Sequence, residues 1–209
     1  MEEKIVTMEQ YTYKFLEEIY KTIGKGWKFW VLSKTENEML NEILLYSSIW
    51  LESYFLITSY PLCYEDKLYE ILLDSFINYN KKIGVKDEKL ADNSDNLSTT
   101  FHFISDYFDA KYNGKIIIAD SYEERYDEMG LCIYMSAICQ AETCIPKIVN
   151  NKVLHSMIAE YYVGIIKDII KKYLKYMEEY TVYPGADLLK KPEDIENAIK
   201  LSAQYRENE

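Results

Sequence analysis

Apolar residues recur along most of the chain at the three- and four-residue spacing of amphipathic helices. The clearest case is 151–180, where apolar pairs such as Met157 and Ile158 recur every four residues, which places them on one helical face. Similar patterns predict helices over roughly 3–23, 36–59, 65–82, 99–112 and 121–145, and a last helix that begins at Pro192. The sequence therefore predicts an all-α fold, an orthogonal or irregular bundle of about seven helices.

Two of these segments almost lack charge. Beyond Glu42, the only charged residue of the second helix is Glu52, and residues 129–141 carry no charge at all. A helix that is apolar on nearly every side belongs inside a domain, since unpaired charges are costly to bury. We therefore expect two buried central helices, with 39–58 and 129–141 as the most buried segments.

Several helix ends carry recognisable signals. Ser33 and Thr35 are N-cap candidates for the second helix, and each has a glutamate three residues later, which is the capping-box spacing. Gly84 follows a lysine pair and is a natural C-terminal cap for the third helix.

The only linker candidate is a polar segment at 85–97, which shows no periodicity. The helices that flank it each look too small to fold alone, so we expect a single helical domain over 1–209, with a polar loop at about 85–97. A chain of 209 residues can bury a sizeable core without disulfides or metals.

The formal net charge is −11 and the pI is about 4.8. Contact with phosphate backbones or anionic lipids needs clustered lysine and arginine, so direct nucleic-acid binding and membrane binding are disfavoured. A basic protein partner is favoured instead, for example a toxin or a nucleic-acid enzyme. Plain solubility is the alternative explanation of the acidity.

The chemistry-bearing residues are too few for the common enzyme classes. The chain has only two histidines, His102 and His155, and no cysteine pair has the C-x-x-C spacing. None of the usual nucleotide-binding, hydrolase or zinc-protease motifs is present. We therefore expect no metal, no cofactor and no catalytic residue. Free buried thiols and the lack of a signal peptide indicate a cytoplasmic protein, and Glu52 interrupts the longest apolar stretch, which argues against a membrane span.

One polar line crosses the apolar second helix. Asn41, Ser48, Glu52 and Ser59 are spaced by seven, four and seven residues, so they share one narrow face. Either this line meets solvent, or it forms a pocket of Glu52, Ser48 and a nearby tyrosine such as Tyr54. A carboxyl in such a pocket could have a raised pKa and act as an acid or a base.

A second candidate site is acidic. Four carboxylates, Glu123, Glu124, Asp127 and Glu128, open the fifth helix. Helix starts favour acids through the macrodipole alone, but the same side chains could also form the charged edge of an interface. Together with the 21 tyrosines, which suit protein interfaces, they favour a non-catalytic protein-binding module, such as an inhibitor or immunity-type protein that blocks a basic partner. The alternative is a helical small-ligand binder or enzyme around Glu52.

Overall fold

The computed structural model describes residues 4–24, 26–59, 65–112 and 122–183. The six helices of these ranges are α1 (Met8–Ile23), α2 (Lys34–Ser59), α3 (Glu65–Lys82), α4 (Asp87–Tyr112), α5 (Tyr122–Cys144) and α6 (Lys152–Glu179). Two short strands, β1 (Lys4–Thr7) and β2 (Tyr180–Tyr183), accompany them. The predicted all-α fold class is confirmed for the described residues. The helix expected from Pro192 lies outside the described residues, so the expected count of about seven is not matched.

The start of α2 matches the sequence prediction. The Ser33 hydroxyl accepts from the Glu36 amide at 3.2 Å, and the Glu36 carboxylate accepts from the Ser33 amide at 2.7 Å. This reciprocal pair is the capping box expected at Ser33 rather than at Thr35. Helix α1 begins with a second capping box, between Thr7 and Gln10, which the sequence analysis did not predict.

The end of α3 also matches the sequence prediction, in which Gly84 caps the helix. Gly84 has a φ of 84°, and its amide donates to the Lys81 carbonyl at 3.0 Å. The next amide, that of Val85, donates to the Asn80 carbonyl at 3.0 Å. These two bonds form a Schellman motif, which needs the left-handed conformation that glycine adopts without strain.

Helix α4 corrects the predicted loop at 85–97. The helix begins at Asp87 and continues unbroken to Tyr112. Leu90, Leu97 and Ile104 are buried and spaced by seven. In the first half of the helix, Leu90 and Leu97 form a single narrow apolar line and the other faces are polar. The segment looked aperiodic because it contributes only one buried leucine for every two turns.

The strands correct the predicted first helix, which was expected from about residue 3. Instead β1 pairs in parallel with β2, with Lys4 opposite Tyr180 and Thr7 opposite Tyr183. The β-branched residues of the Lys4–Thr7 segment suit an extended conformation. Its partner lies far away along the sequence, so local periodicity could not reveal the pairing.

The prediction of two central buried helices is only partly matched. The described side chains of α2 are heavily buried from Leu40 to Leu56. In α5, however, Leu131 is 53% exposed and Met135 is also exposed. An absence of charge therefore did not distinguish the buried face of α5 from its exposed apolar face.

The described chain divides into two compact units. The first comprises Met1–Glu17, Glu52–Val85 and Leu174–Glu209, and the second comprises Glu18–Leu51 and Lys86–Tyr173. The single domain expected from the sequence stays a prediction.

In the first unit, aromatic rings hold the described core together. The Tyr11 ring lies edge-on to Tyr176, with centroids 6.1 Å apart, and Phe15 packs against the same ring at 5.8 Å. Tyr176 also stacks on Tyr180 of β2 at 5.2 Å. Such ring pairs add stability beyond the area that they bury, so they attach α1 to the end of α6 and to the strand that follows it.

In the second unit, α5 and α6 pack closely at a glycine. A Cβ atom at Gly130 would lie only 2.6 Å from the end of the Ile170 side chain. Further along α6, the buried Tyr162 hydroxyl donates to the Leu40 carbonyl at 2.6 Å. This bond satisfies the phenol and connects α6 with α2.

Candidate functional site

Glu52 is completely buried on α2. No described residue donates a hydrogen bond to either of its carboxylate oxygens. Removal from water disfavours the charged form, and this burial raises the pKa of Glu52 well above its ordinary value. The carboxyl is therefore held in its neutral form over a wider pH range than an exposed glutamate.

The other residues of the expected Glu52 pocket behave differently. The Ser48 hydroxyl donates to the Leu44 carbonyl at 2.7 Å, one turn back along its own helix. Tyr54 is two positions from Glu52, and residues at that spacing do not face each other on a helix. Among the described residues, neither Ser48 nor Tyr54 donates a hydrogen bond to the Glu52 carboxylate, and the pocket of these three residues stays a prediction.

The acidic candidates are described only in part. Asp127 and Glu128 are exposed on α5. Glu123 and Glu124 belong to the same helix, but their side chains lie outside the described residues. The acidic edge remains a prediction.

One polar pair was missed by the sequence reasoning. His155 Nε2 lies 3.2 Å from the Glu142 carboxylate, and Cys139 lies near the same glutamate. Burial, followed by the charge of Glu142, raises the pKa of the Cys139 thiol, which is the opposite of what a nucleophilic cysteine needs. Among the described residues, no three histidine, cysteine or acidic side chains cluster closely enough to hold a metal ion.

The most unusual surface feature is the turn between α1 and α2. Phe29 and Leu32 are buried, whereas Trp30 between them is 89% exposed and the nearby Trp27 is 56% exposed. Val31 is exposed as well. Three large apolar side chains in one short turn therefore point into solvent, although the same turn has two anchors in the core.

Asn37 of α2 fixes this turn. Its side-chain oxygen accepts from the Phe29 amide at 2.7 Å. Its side-chain nitrogen lies within hydrogen-bond distance of the carbonyls of Phe29, Leu32 and Ser33, at 2.9–3.1 Å. Because Asn37 is itself buried, these bonds are shielded from water, and the turn has a defined shape.

Gly26 and Asn41 define the entrance to the turn. Gly26 has a φ of 72°, and a Cβ atom there would overlap the Asn41 amide. The absent side chain leaves room for Asn41, whose amide nitrogen donates to the Trp27 carbonyl at 3.3 Å. The exposed tryptophans are therefore presented by an ordered backbone.

The apolar surface continues onto α6. Val149, Val153, Met157 and Tyr161 are four residues apart, so they lie along one side of the helix and the turn before it. Val153 is 70% exposed and Met157 is 41% exposed. The half-buried Tyr161 ring contacts Trp27, with centroids 6.0 Å apart, and Phe29 at 6.2 Å. We call this surface the tryptophan face; its residues are Trp27, Trp30, Val31, Val153, Met157 and Tyr161.

A groove lies beside the tryptophan face, with a volume of about 400 Å³. Its lining residues are Lys28, Phe29, Trp30, Leu32, Lys34, Asn37, Glu38 and Asn41. An aromatic groove with a few fixed polar groups is the usual form of a binding site.

A larger and more polar groove, of about 580 Å³, lies between α1 and α3 in the first unit, where Tyr13, Lys14 and Asp74 are among its lining residues. The described residues of its lining include one cation, two carboxylates and two amides, and Ile71 is the single aliphatic residue among them. It lacks the exposed apolar anchors that distinguish the tryptophan face.

The sequence carried a signal for the tryptophan face that we did not use. Residues 21–35 contain four lysines and no acidic residue, in a chain whose net charge is −11. Two tryptophans and a phenylalanine are interleaved with those lysines. Periodicity treats such a segment as a connection, so only its local composition could have marked it as a surface of interest.

Within the described residues, no helix is both long enough and apolar enough to cross a membrane. Comparison of the chain with protein-family models, curated proteins and solved structures finds no match.

Proposed function

We propose that this chain is a non-catalytic protein-binding module and that the tryptophan face is its contact surface. The observation that carries the proposal is the pair of exposed tryptophans, Trp27 and Trp30, on a turn that buried hydrogen bonds to Asn37 hold in shape. Clustered exposed apolar residues of this kind mark interaction sites on proteins.

The tryptophan face has the composition of a binding hot spot. Tryptophan and tyrosine dominate the residues whose truncation weakens protein complexes most, and methionine is also enriched at interfaces. Because the turn is already ordered, a partner that binds Trp30 does not have to fix its backbone first. Such preorganisation lowers the entropic cost of association.

An inhibitor or immunity-type role against a basic partner is a narrower form of this proposal. It rests on the net charge of −11, which accelerates encounter with a cationic protein. In that role the tryptophan face supplies the short-range contacts, and the acidic remainder of the surface acts at longer range.

Site-specific crosslinking in the native cell tests the proposal. A photo-crosslinking phenylalanine analogue replaces Trp30 in one variant and Val153 in a second. In the control variant it replaces Asp92, which is exposed on α4. We expect the same protein to be captured from the first two positions and not from the control. The purified partner should then bind the Trp30→Ala variant at least tenfold more weakly than wild type, a loss of about 1.4 kcal/mol.

The proposal fails if the Trp30 and Val153 positions capture no common protein. It also fails if the captured protein binds Trp30→Ala as tightly as wild type. Replacing the largely solvent-exposed Trp30 should leave the fold intact, which circular dichroism and thermal unfolding of the variant check.

A second candidate, a small-ligand binder or enzyme around Glu52, is favoured by one observation. This is the completely buried carboxyl, to which no described residue donates a hydrogen bond. Neither of the two grooves described above is lined by Glu52. A ligand-dependent increase in melting temperature that the Glu52→Gln substitution abolishes would favour this candidate over the first.

A further inference from the structure

The charges around the groove beside Trp30 differ in sign from the chain as a whole. Lys28 and Lys34 line the groove, and Glu38 is the only acidic residue among the described residues of its lining. The lining therefore carries two positive charges and one negative charge. Lys34 and Glu38 lie 3.7 Å apart and are both strongly exposed, so their pairing is weak and leaves the lysine available.

The charge of Glu36, a second acidic residue near the turn, is offset by a lysine. Glu36 accepts the hydrogen bond from the Ser33 amide and also binds Lys147 at 3.0 Å. These two contacts, in that order of importance, lower the pKa of Glu36 to about 2. Because Lys147 balances Glu36, the field of Lys28 is not cancelled by this carboxylate.

The distance over which electrostatic interactions act decides which charges of the protein a bound partner experiences. At physiological ionic strength, charges are screened over about 8 Å. A side chain seated in the groove therefore interacts with Lys28 and Lys34, whereas the acidic remainder of the protein acts mainly on what extends beyond this distance. The net charge of −11 and the local positive charge thus select different parts of a partner.

We infer that the groove binds a short acidic segment of the partner protein, in which an aromatic or aliphatic side chain is flanked by aspartate or glutamate. The apolar anchor contacts Phe29, Leu32 and Trp30, and the flanking carboxylates pair with Lys28 and Lys34. The groove volume of about 400 Å³ lies at the small end of the range for ligand pockets, which suits one or two large side chains. This inference rests on the proposed function and adds the chemistry of the partner segment.

The distance over which the negative charge of the ligand extends distinguishes a short acidic segment from longer polyanions. Exposed tryptophans interleaved with lysines could also stack on single-stranded nucleic acid or insert into an anionic bilayer. Both of those ligands extend their negative charge well beyond a Debye length, over the acidic remainder of the protein, where they are repelled. A short acidic segment carries its charge only beside the lysines, so it keeps the attraction without the repulsion.

Peptide display against the 209-residue chain tests the inference. We expect a library of random short peptides to be enriched for sequences that combine one aromatic or aliphatic residue with two or more acidic residues. An enriched peptide should bind Trp30→Ala at least tenfold more weakly than wild type, and it should bind the double variant Lys28→Glu/Lys34→Glu similarly weakly.

The matched control is the double variant Lys167→Glu/Lys171→Glu. It changes the net charge by the same amount at exposed positions of α6 and should retain wild-type affinity for the peptide. If both double variants weaken binding equally, net charge rather than the groove attracts the peptide, and the inference is wrong.

Other outcomes also overturn the inference. It fails if no peptide shows Trp30-dependent binding or if the enriched peptides lack acidic residues. It also fails if phosphatidylserine vesicles or oligothymidine bind through Trp30 more tightly than the selected peptides do. When crosslinking from Trp30 still captures a protein in these cases, the protein-binding proposal survives without its acidic ligand. When no crosslink forms but acidic peptides are selected, the groove chemistry stands and the cellular role does not.

Discussion

Replacing Glu52 with glutamine removes one buried proton-binding group while almost preserving the shape of the side chain. Glu52 is fully buried, and no described residue donates a hydrogen bond to its carboxylate. Its pKa in the folded protein is raised well above 4.5, because burial disfavours the charged form. In the unfolded chain the same group titrates near its ordinary value. The substitution therefore changes how the free energy of unfolding depends on pH.

The sign follows from proton binding. Below the unfolded pKa both states keep the proton, and the neutral carboxyl and the amide should give similar stability. As pH rises above 4.5, the unfolded chain loses the proton and the folded chain keeps it, so wild type becomes less stable. This loss amounts to about 1.4 kcal/mol, or tenfold in the unfolding equilibrium constant, for each pH unit. It continues until the folded carboxyl itself ionises.

Urea denaturation at a series of pH values from 4 to 8 measures this effect as the difference between Glu52→Gln and wild type. Taking the difference removes the titration of the other carboxylates. We expect the variant to gain stability over wild type by about 1.4 kcal/mol between pH 5 and 6. Glu160→Gln, at an exposed position of α6, should show no such trend. A difference that is constant with pH would refute the reasoning, and a variant that loses ground as pH rises would show that the carboxylate is paired with a cation.

Three further predictions concern packing, the turn and the acidic edge. Gly130→Ala should leave the protein less stable than Gly164→Ala, by up to about 1 kcal/mol, since a Cβ at position 130 presses on the end of the Ile170 side chain whereas position 164 has open space; equal stabilities by urea denaturation would contradict this packing. Asn37→Ala should cost about 2–3 kcal/mol, because it removes the bonds that hold the buried Phe29 backbone; the same experiment on Asn150→Ala, whose single bond is exposed, should give a loss near zero. Reversing the acidic edge to lysine should slow association with a basic partner and flatten its salt dependence without unfolding the protein, and an unchanged association rate at low salt would remove this edge from recognition. The residues to be reversed are Glu123, Glu124, Asp127 and Glu128.

Local signals in the sequence predicted local structure well. The Ser33 capping box and the Gly84 cap form as expected, because each depends only on residues within a few positions of each other. The second half of α4 was predicted as a helix over 99–112, but its first half was not, because Leu90 and Leu97 are the only buried apolar residues there. The pairing of β1 with β2 depends on segments far apart in the sequence, and no local pattern encodes it.

For the candidate sites too, the sequence identified local features but not those that depend on tertiary contacts. The sequence singled out Glu52 but could not decide between a solvent slit and full burial, since that depends on which helices cover it. Trp27 and Trp30 lie between the helices predicted over 3–23 and 36–59, so helical periodicity did not single them out. Their exposure follows from Asn37 and Gly26, which fix the path of the backbone and so decide which rings face inward. Helical periodicity contains no information about such a turn.

The order of segments in the first unit has a consequence for synthesis on the ribosome. That unit combines Met1–Glu17 and Glu52–Val85 with Leu174–Glu209, whereas the second unit uses only residues between 18 and 173. Because β1 precedes β2 by more than 170 residues, β1 has no β2 to pair with until Tyr183 has left the exit tunnel. At about 5–20 residues per second, this leaves the apolar face of the amphipathic helix α1 without its aromatic partners on α6 for roughly ten seconds or longer. Translation speed and chaperone access during that interval thus bear on the yield of folded protein.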